Sequence, residues 1–336
     1  MEINHFIGVD VSKGTLDFSL AQLGKVVYHL RVPNSNTGIV SFIKEIKENF
    51  NVDLSFTIFC MEHNGIYNNI LLSFLKKLKT NIWVESALQI KQSQGMMRGK
   101  NDKVDSGRIA MYAYRYQENY IPWNPPREVI IQIKQLLAIR SRVVEAIKQL
   151  STPIGKDAEI FFAKGDLKLS RKCCDCSIKA MKKDVKAIEK QIKDLIQSDT
   201  YLNNLLKIIT SVDGIGLMIA TTIIVTTNEF KNFSCAKKFA CYSGVVPFEH
   251  SSGSSIKKRP RVSHLANKTV KKMIHLATLT GIRKNGEFRD YYERKKAEGK
   301  HTMSVLNAIR NKLILRIFAC VRDNRLFEKK HQILLA

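Results

Sequence analysis

The chain has 336 residues, with 55 lysines and arginines against 30 aspartates and glutamates, giving a formal net charge of +25. So large a positive charge repels itself in a compact fold unless a polyanion offsets it, which favours DNA or RNA as the partner. Hydrophobic residues make up 44% of the chain, enough for large cores, and the length favours two or three domains.

Two classes of protein are excluded at this level. No apolar run is long enough to span a bilayer and the N-terminus lacks a basic-then-apolar leader, so we expect a cytoplasmic protein with no membrane partner. The seven cysteines are odd in number and irregularly spaced, which argues against a disulfide framework.

The N-terminal region begins with a predicted antiparallel meander. Apolar runs from Phe6 to Val11, Leu16 to Ala21 and Val26 to Val32 favour three strands, which Gly14 and Gly24 separate.

Helices and strands then alternate. The spacing predicts a helix over 37–49, a strand ending near Met61, a helix through Leu71 and Leu75, and a short strand over 82–84. A meander followed by this alternation is the layout of a ribonuclease-H-like α/β fold, which we assign to residues 1–125.

Four carboxylates interrupt these apolar segments. Asp10 and Glu62 lie at the ends of the first and fourth strands, and a helix starting near Asp102 would carry Asp102 and Asp105 on one face. Carboxylates placed in this way can converge on a divalent cation, as phosphodiester chemistry requires. A solvated strand end explains Asp10 alone equally well, whereas the four together favour a metal site.

Residues 126–200 are predicted to form long paired helices. A heptad pattern of apolar residues runs from Ile178 to Leu195, and a similar stripe runs from Ile133 to Leu150. An antiparallel hairpin, a coiled-coil interface between subunits, and packing on the helices' own domain remain open.

Residues 201–336 are predicted to be a mostly α-helical domain. Gly214 and Gly216 precede an apolar helix and resemble the turn of a helix-hairpin-helix element, whose backbone N–H groups approach a phosphate. The residues from Ser304 to Cys320 favour a packing helix, with Arg310, Lys312 and Arg316 expected on its exposed side.

A polar loop over 241–255 runs into a cluster of cations in this domain. The simpler interpretation is a flexible loop that grips DNA, and the sharper one is a serine nucleophile whose attack on a phosphodiester is assisted by nearby arginines. The candidate nucleic-acid contacts are Gly214, Gly216, Ser251, Lys257, Lys258, Arg259, Arg261, Lys268, Lys271 and Lys272.

Two blocks of sequence carry a family resemblance. The segments 8–13, 62–67 and 102–106 resemble the Asp-Glu-Asp-Asp signature of a family of insertion-sequence transposases that includes the Piv-type DNA invertases. The segments 214–216, 243–247, 251–253 and 262–267 resemble the second domain of that family.

The resemblance implies a RuvC-like domain in which Asp10, Glu62, Asp102 and Asp105 hold Mg²⁺, with Mn²⁺ also suitable. It implies that Ser252, preferred to Ser251 because it directly precedes Gly253, becomes covalently joined to DNA. It further implies donor and target DNA as substrates, an element-encoded guide RNA, and a dimer or tetramer assembled through the coiled coil.

Two other functions remain possible from the residues. A metal-dependent junction endonuclease needs the four carboxylates but no serine. A non-catalytic nucleic-acid-binding scaffold needs neither, and depends only on charge and on the paired helices.

Overall fold

The structure is a computed structural model that describes residues 3–93, 102–151, 164–233, 235–252, 256–284 and 286–328; for residues 164–171, 249–252 and 256–260 it describes the backbone only. The chain forms two compact units, residues 1–125 and 126–336.

The first unit is built on a five-stranded sheet with the order β3-β2-β1-β4-β5. The first three strands are antiparallel, whereas β4 and β5 continue the sheet in parallel with β1. This topology is ribonuclease-H-like, and it confirms the predicted meander. The strands are β1 (His5–Val11), β2 (Thr15–Gln22), β3 (Lys25–Pro33), β4 (Thr57–Glu62) and β5 (Asn81–Glu85).

Helices cover both faces of this sheet. Successive residues of a strand point to opposite faces, and the central strands carry apolar residues on both faces. The helices α1 and α2 pack on the face formed by Ile7, Val9 and Phe18, and α4 packs on the face formed by Phe6 and Cys60. The helices are α1 (Asn36–Phe50), α2 (Asn69–Lys77), α3 (Ala87–Ser93) and α4 (Asp102–Arg115), and short 3₁₀ turns span Leu54–Phe56, Gly65–Asn68 and Gln117–Asn119.

Gly8 lets the backbone of α4 lie directly on β1. A Cβ atom at Gly8 would lie 2.1 Å from the amide nitrogen of Ala110 and 2.2 Å from the carbonyl oxygen of Ser106. The hydroxyl oxygens of Ser19 and Ser106, 2.8 Å apart, form a buried hydrogen bond beside this contact. The absence of a side chain at Gly8 therefore sets the distance between α4 and the sheet.

In its described residues, the second unit is helical apart from one hairpin. Its helices are α5 (Glu128–Ser151), α6 (Lys164–Ser198), α7 (Thr200–Thr210), α8 (Leu217–Thr227), α9 (Ala236–Tyr242), α10 (Lys268–Arg283), α11 (Glu287–Ala297) and α12 (Thr302–Arg322), and its strands are β6 (Phe248–Ser252) and β7 (Ile256–Arg261). In the portion of the chain that the structure describes, no helix is both long and apolar enough to cross a bilayer.

The paired helices α5 and α6 pack on each other in an antiparallel arrangement. Ile130 and Ile133 at the start of α5 share a buried core with Ile192 and Ile196 near the end of α6. Arg140 lies further along α5 and contacts Glu189, with the Nη2 and Oε1 atoms 2.6 Å apart. The same core continues into the later helices of this unit.

A partly buried ion cluster around the buried Glu229 holds the start of α5. Arg127 donates to Asp199 with an Nη1–Oδ2 distance of 2.6 Å, and to Glu229 with an Nε–Oε1 distance of 2.9 Å. Burial works to raise the pKa of Glu229, but hydrogen bonds from Arg127 and Lys231 outweigh it and lower the pKa. The junction between α6 and α7 is thereby tied to the end of α8.

The turn before α8 is built on close packing. Gly214 has a φ of +89°, and a Cβ atom there would lie 2.4 Å from the carbonyl oxygen of Ala277 in α10. The missing side chain thus admits the backbone of α10. Gly216, the N-cap of α8, has open space around its Cβ position.

The prediction of a polar loop over 241–255 is wrong, because part of this segment forms a strand. Residues 248–252 and 256–261 pair as an antiparallel hairpin, with Phe248 opposite Arg261 and Ser252 opposite Ile256. Serine and lysine have little intrinsic preference for strands, so composition favoured a loop, whereas backbone pairing decides the structure. Gly253 lies outside the described residues.

We expect Gly8→Ala to destabilise the first unit by at least about 2 kcal/mol, because the new methyl group overlaps backbone atoms of α4 that cannot rotate away. Both tryptophans, Trp83 and Trp123, lie in this unit, so urea unfolding followed by tryptophan fluorescence reports on it alone. Gly14→Ala is the matched control, since nothing lies within 4 Å of its Cβ position. Equal unfolding midpoints for the two variants would show that α4 can shift freely.

Candidate active site

Two of the four carboxylates lie side by side on neighbouring strands. Gly8 is paired with Cys60 and Val9 with Met61 in the parallel register, which places Asp10 next to Glu62. Alternation along the strands puts both residues on the face that carries Cys60, which packs against α4.

The first turn of α4 lies at the same end of this face. The rings of Phe6 and Tyr114 are 5.4 Å apart, and Gly8 contacts the backbone between Ser106 and Ala110. Moving along β1 towards Asp10 therefore means moving along α4 towards its N-terminus. Asp102 and Asp105 form that first turn, where the helix dipole favours negative charge.

Arginines hold both carboxylates of the helix. Arg31 Nη2 lies 3.1 Å from Asp102 Oδ2, and Arg108 Nη1 lies 2.8 Å from Asp105 Oδ1. Among the described residues, no three histidine, cysteine or acidic side chains are gathered closely enough to hold a metal ion. The four carboxylates share one end of one face, and their oxygen donors suit Mg²⁺ or Mn²⁺.

Sequence reasoning missed Asp17, which is paired with Asp10 across β1 and β2. It is only 3% exposed, and its Oδ1 atom lies 3.1 Å from His29 Nε2 while its Oδ2 atom lies 3.5 Å from Arg31 Nε. Arg31 consequently bridges Asp17 and Asp102. The available signal was a carboxylate inside an apolar strand, between Leu16 and Phe18.

Glu85 was missed for a similar reason, because it ends a short strand. It is paired with Glu62 across β4 and β5, and it accepts a hydrogen bond from the Tyr112 hydroxyl, with an oxygen–oxygen distance of 3.3 Å. Burial, aided by the negative charges of Glu85 and Glu62, raises the pKa of the Cys60 thiol. Cys60 therefore stays protonated and is no candidate nucleophile.

The predicted serine lies in the second unit, on β6. Ser252 is opposite Ile256 and Ser251 is opposite Lys257 in the hairpin, and the side chains of Ser251, Ser252, Lys257, Lys258 and Arg259 lie outside the described residues. The backbone thus places the serines and the cations on paired strands.

The remaining predicted cations follow the hairpin directly. Arg261 ends β7 and is exposed, and α10 begins soon after with the Asn267 side chain as its N-terminal cap. Lys268 and Lys272 are exposed, and Lys271 is half-buried.

Two family models match different parts of the chain. The family described as "Transposase IS116/IS110/IS902 family" matches residues 206–293, and a second family model, described as a transposase, matches residues 7–156. The chain belongs to this transposase family. It is accordingly a DNA recombinase.

Relatives of this transposase span almost its whole length. The pilin gene-inverting protein of Moraxella bovis is 23% identical, and the alignment covers 97% of this chain and 98% of that protein. The IS116 insertion-element protein of Streptomyces clavuligerus, described as an uncharacterized 44.8 kDa protein, is 20% identical over 96% of each chain. Among solved structures, the complex of Thermus thermophilus RuvC with a Holliday junction is 12% identical, with a TM-score of 0.27, over 36% of this transposase and 99% of that chain.

Proposed function

We propose that this transposase cuts and rejoins DNA through a covalent serine–DNA intermediate, with Ser252 as the nucleophile. The proposal is supported by the two family matches, which lie in the order of the two units and include both candidate sets of residues. Ser252 lies on a strand whose partner carries three consecutive cations over 257–259.

The proposed reaction is a pair of transesterifications. The Ser252 oxygen attacks a phosphorus atom, an O–P bond forms and the bond to the leaving deoxyribose oxygen breaks. The serine proton passes to a base, and the leaving oxygen takes up a proton to become a hydroxyl. In the second step a deoxyribose hydroxyl attacks the same phosphorus atom, a new O–P bond forms, the bond from phosphorus to the Ser252 oxygen breaks, and a proton returns to that oxygen. Arg259 and Arg261 are proposed to stabilise the charge that develops on the phosphate.

Asp10, Glu62, Asp102 and Asp105 are proposed as the metal-binding set, because they share one end of the α4 face. A divalent cation bound there would neutralise phosphate charge and orient the scissile bond. Arg31 and Arg108 each contact one oxygen of these carboxylates, Asp102 Oδ2 and Asp105 Oδ1, so a cation bound by Asp102 and Asp105 would use their other oxygens or displace the arginines. Asp102 is exposed, so its side chain has room to turn towards a cation.

We further propose that a structured RNA guides the reaction and that subunits assemble through α5 and α6. The net charge of +25 suits binding of several polyanionic strands at once. Ile139, Val144 and Leu150 on the distal half of α5 are exposed and apolar, as expected for a helix that contacts a second subunit.

Inversion is a second candidate outcome of the same chemistry. It is favoured by the pilin gene-inverting relative, which aligns with nearly the whole chain. Exchange between two oppositely oriented sites of one DNA molecule gives inversion, whereas exchange between donor and target DNA gives insertion.

Trapping tests the serine. When the protein is incubated with donor DNA, target DNA and RNA, we expect a protein–DNA adduct that Ser252→Ala lowers by at least about a thousandfold, as loss of a nucleophile does. Ser251→Ala, on the neighbouring residue, is expected to retain the adduct at saturating DNA, because losing a candidate nucleic-acid contact lowers affinity without removing the nucleophile. Full cleavage by Ser252→Ala without an adduct would instead support a junction endonuclease.

Removing single carboxylates tests the metal site. Asp10→Asn and Glu62→Gln keep the shape of each side chain but remove its charge, so we expect each to weaken Mn²⁺ binding, measured by titration, by about 10-fold to 100-fold. Both are expected to abolish strand exchange and leave DNA binding intact. Glu48→Gln, on the exposed face of α1, is the control. Unchanged Mn²⁺ affinity in both site variants would remove these residues from the metal site.

Withdrawing RNA tests the guide. We expect ribonuclease-treated protein to lose strand exchange and to regain it when the element's RNA is added back. Altering the pairing segment of that RNA should redirect the insertion site, because the recognition then resides in base pairing. Unchanged target choice after ribonuclease treatment would assign recognition to the protein's own side chains.

A further inference from the structure

Arg310 is a buried cation with neutral partners. Sequence analysis placed it on the exposed side of α12, but it is only 4% exposed, so that prediction is wrong. Its Nη2 atom lies 2.7 Å from His275 Nδ1, and its Nη1 atom donates to Asn307 Oδ1 at 3.2 Å. Within the described residues, its Nε atom has no hydrogen-bond partner.

Such an arrangement is unfavourable for stability by itself. A buried charge is normally paired with an opposite charge, and an apolar side chain of similar size would avoid the desolvation. Burial and the nearby guanidinium of Arg310 lower the pKa of His275, which keeps the imidazole neutral and able to accept a hydrogen bond at Nδ1. The planar guanidinium spans two helices, since His275 lies on α10 and Asn307 lies on α12 with Arg310.

Asn307 links Arg310 to the segment that precedes β6. Its Nδ2 atom donates to the carbonyl oxygen of Val245, a buried residue three positions before the strand begins at Phe248. Arg310 holds the amide oxygen of Asn307 and thereby turns the amide nitrogen towards Val245.

The chain that leaves the hairpin is held beside the chain that enters it. The backbone N–H of Asn267 donates to the carbonyl oxygen of Tyr242 at 2.8 Å, and its side-chain nitrogen donates to the Tyr242 hydroxyl at 2.8 Å. Gly244, with a φ of +63°, leaves no room for a side chain, because a Cβ atom would lie 2.6 Å from the Ala266 methyl group. The segments over 242–245 and 266–267 therefore form one fixed root beneath β6 and β7.

A two-stranded hairpin is at best marginally stable alone, so its orientation depends on its root. We infer that Arg310 is a positioning residue for Ser252, acting through Asn307 and the Val245 carbonyl to hold the root of the serine-bearing hairpin. This inference rests on the proposed function, since it assumes that Ser252 reacts with DNA. The inference explains why a guanidinium is buried at this position, where it is unfavourable for stability.

Asn307→Asp tests the inference in the full chain. The substitution keeps the oxygen that Arg310 contacts and strengthens that contact, but it replaces the donor to Val245 with a second oxygen. We expect adduct formation with donor and target DNA to slow by about 100-fold, as misplacement of a reacting group by about 1 Å does. Amide hydrogen exchange over 248–261 should become faster, while DNA affinity and the thermal midpoint stay at the values of the control.

The matched control is Asn204→Asp, which makes the same change of charge in the same unit, where Asn204 contacts Asn324 at the surface. Arg310→Lys serves as a second variant should Asn307→Asp fail to fold. It keeps the positive charge, but one ammonium group cannot span both His275 and Asn307, so the same two effects are expected in weaker form.

Ser252→Ala in parallel separates the inference from the proposed function. If the adduct persists in Ser252→Ala, the proposed nucleophile is wrong. If the adduct requires Ser252, but Asn307→Asp and Arg310→Lys form it at the rate of the control with unchanged hydrogen exchange, the inference alone is overturned.

Discussion

The close approach of α4 to β1 at Gly8 is the constraint on which the candidate active site depends. With no Cβ atom at that position, the backbone of α4 lies directly on the strand. The two elements run in opposite directions, which brings the first turn of the helix to the end of the strand that carries Asp10. Asp102 and Asp105 are thus brought near Asp10 and Glu62 by backbone packing and by strand register. A larger residue at Gly8 would separate the two pairs of carboxylates without altering any of them.

Charge compensation completes this arrangement. Carboxylates collected at one end of a sheet repel one another, and Arg31 and Arg108 offset that repulsion by ion pairs with Asp102 and Asp105. The buried carboxylate of Asp17 anchors Arg31 from beneath. Arg31 and Arg108 each contact one carboxylate oxygen, Asp102 Oδ2 and Asp105 Oδ1, so the proposed cation and the arginines would share these two side chains.

In the second unit the candidate serine lies on a small two-stranded hairpin, which needs support from neighbouring elements. Asn267, the N-terminal cap of α10, and Asn307 of α12 hold the chain on either side of β6 and β7 through polar contacts. The position of β6 depends on the root over 242–245 and 266–267. There Gly244 has a left-handed backbone and closely packed neighbours that restrict the backbone conformation. The buried cation Arg310 belongs to this root.

Local patterns were enough to predict the meander, the alternation that follows it and the start of α4 at Asp102, because apolar periodicity and chain punctuation act over a few residues. The four candidate carboxylates were chosen from the same patterns and from the family resemblance, whereas strand register and the contact of α4 with β1 place them at one end of one face. The burial of Arg310 and the hairpin over 248–261 were not predictable in this way, since a cationic helix position and a serine-rich segment favour exposure and a loop in any local window. The neighbourhoods of Asp17 and Glu85 depend on strand register, which joins residues far apart in the chain. Sequence by itself determined the secondary structure of the sheet and the chemistry available to this transposase; tertiary structure alone decided which charges are buried and which carboxylates become neighbours, because those outcomes depend on the packing of distant segments.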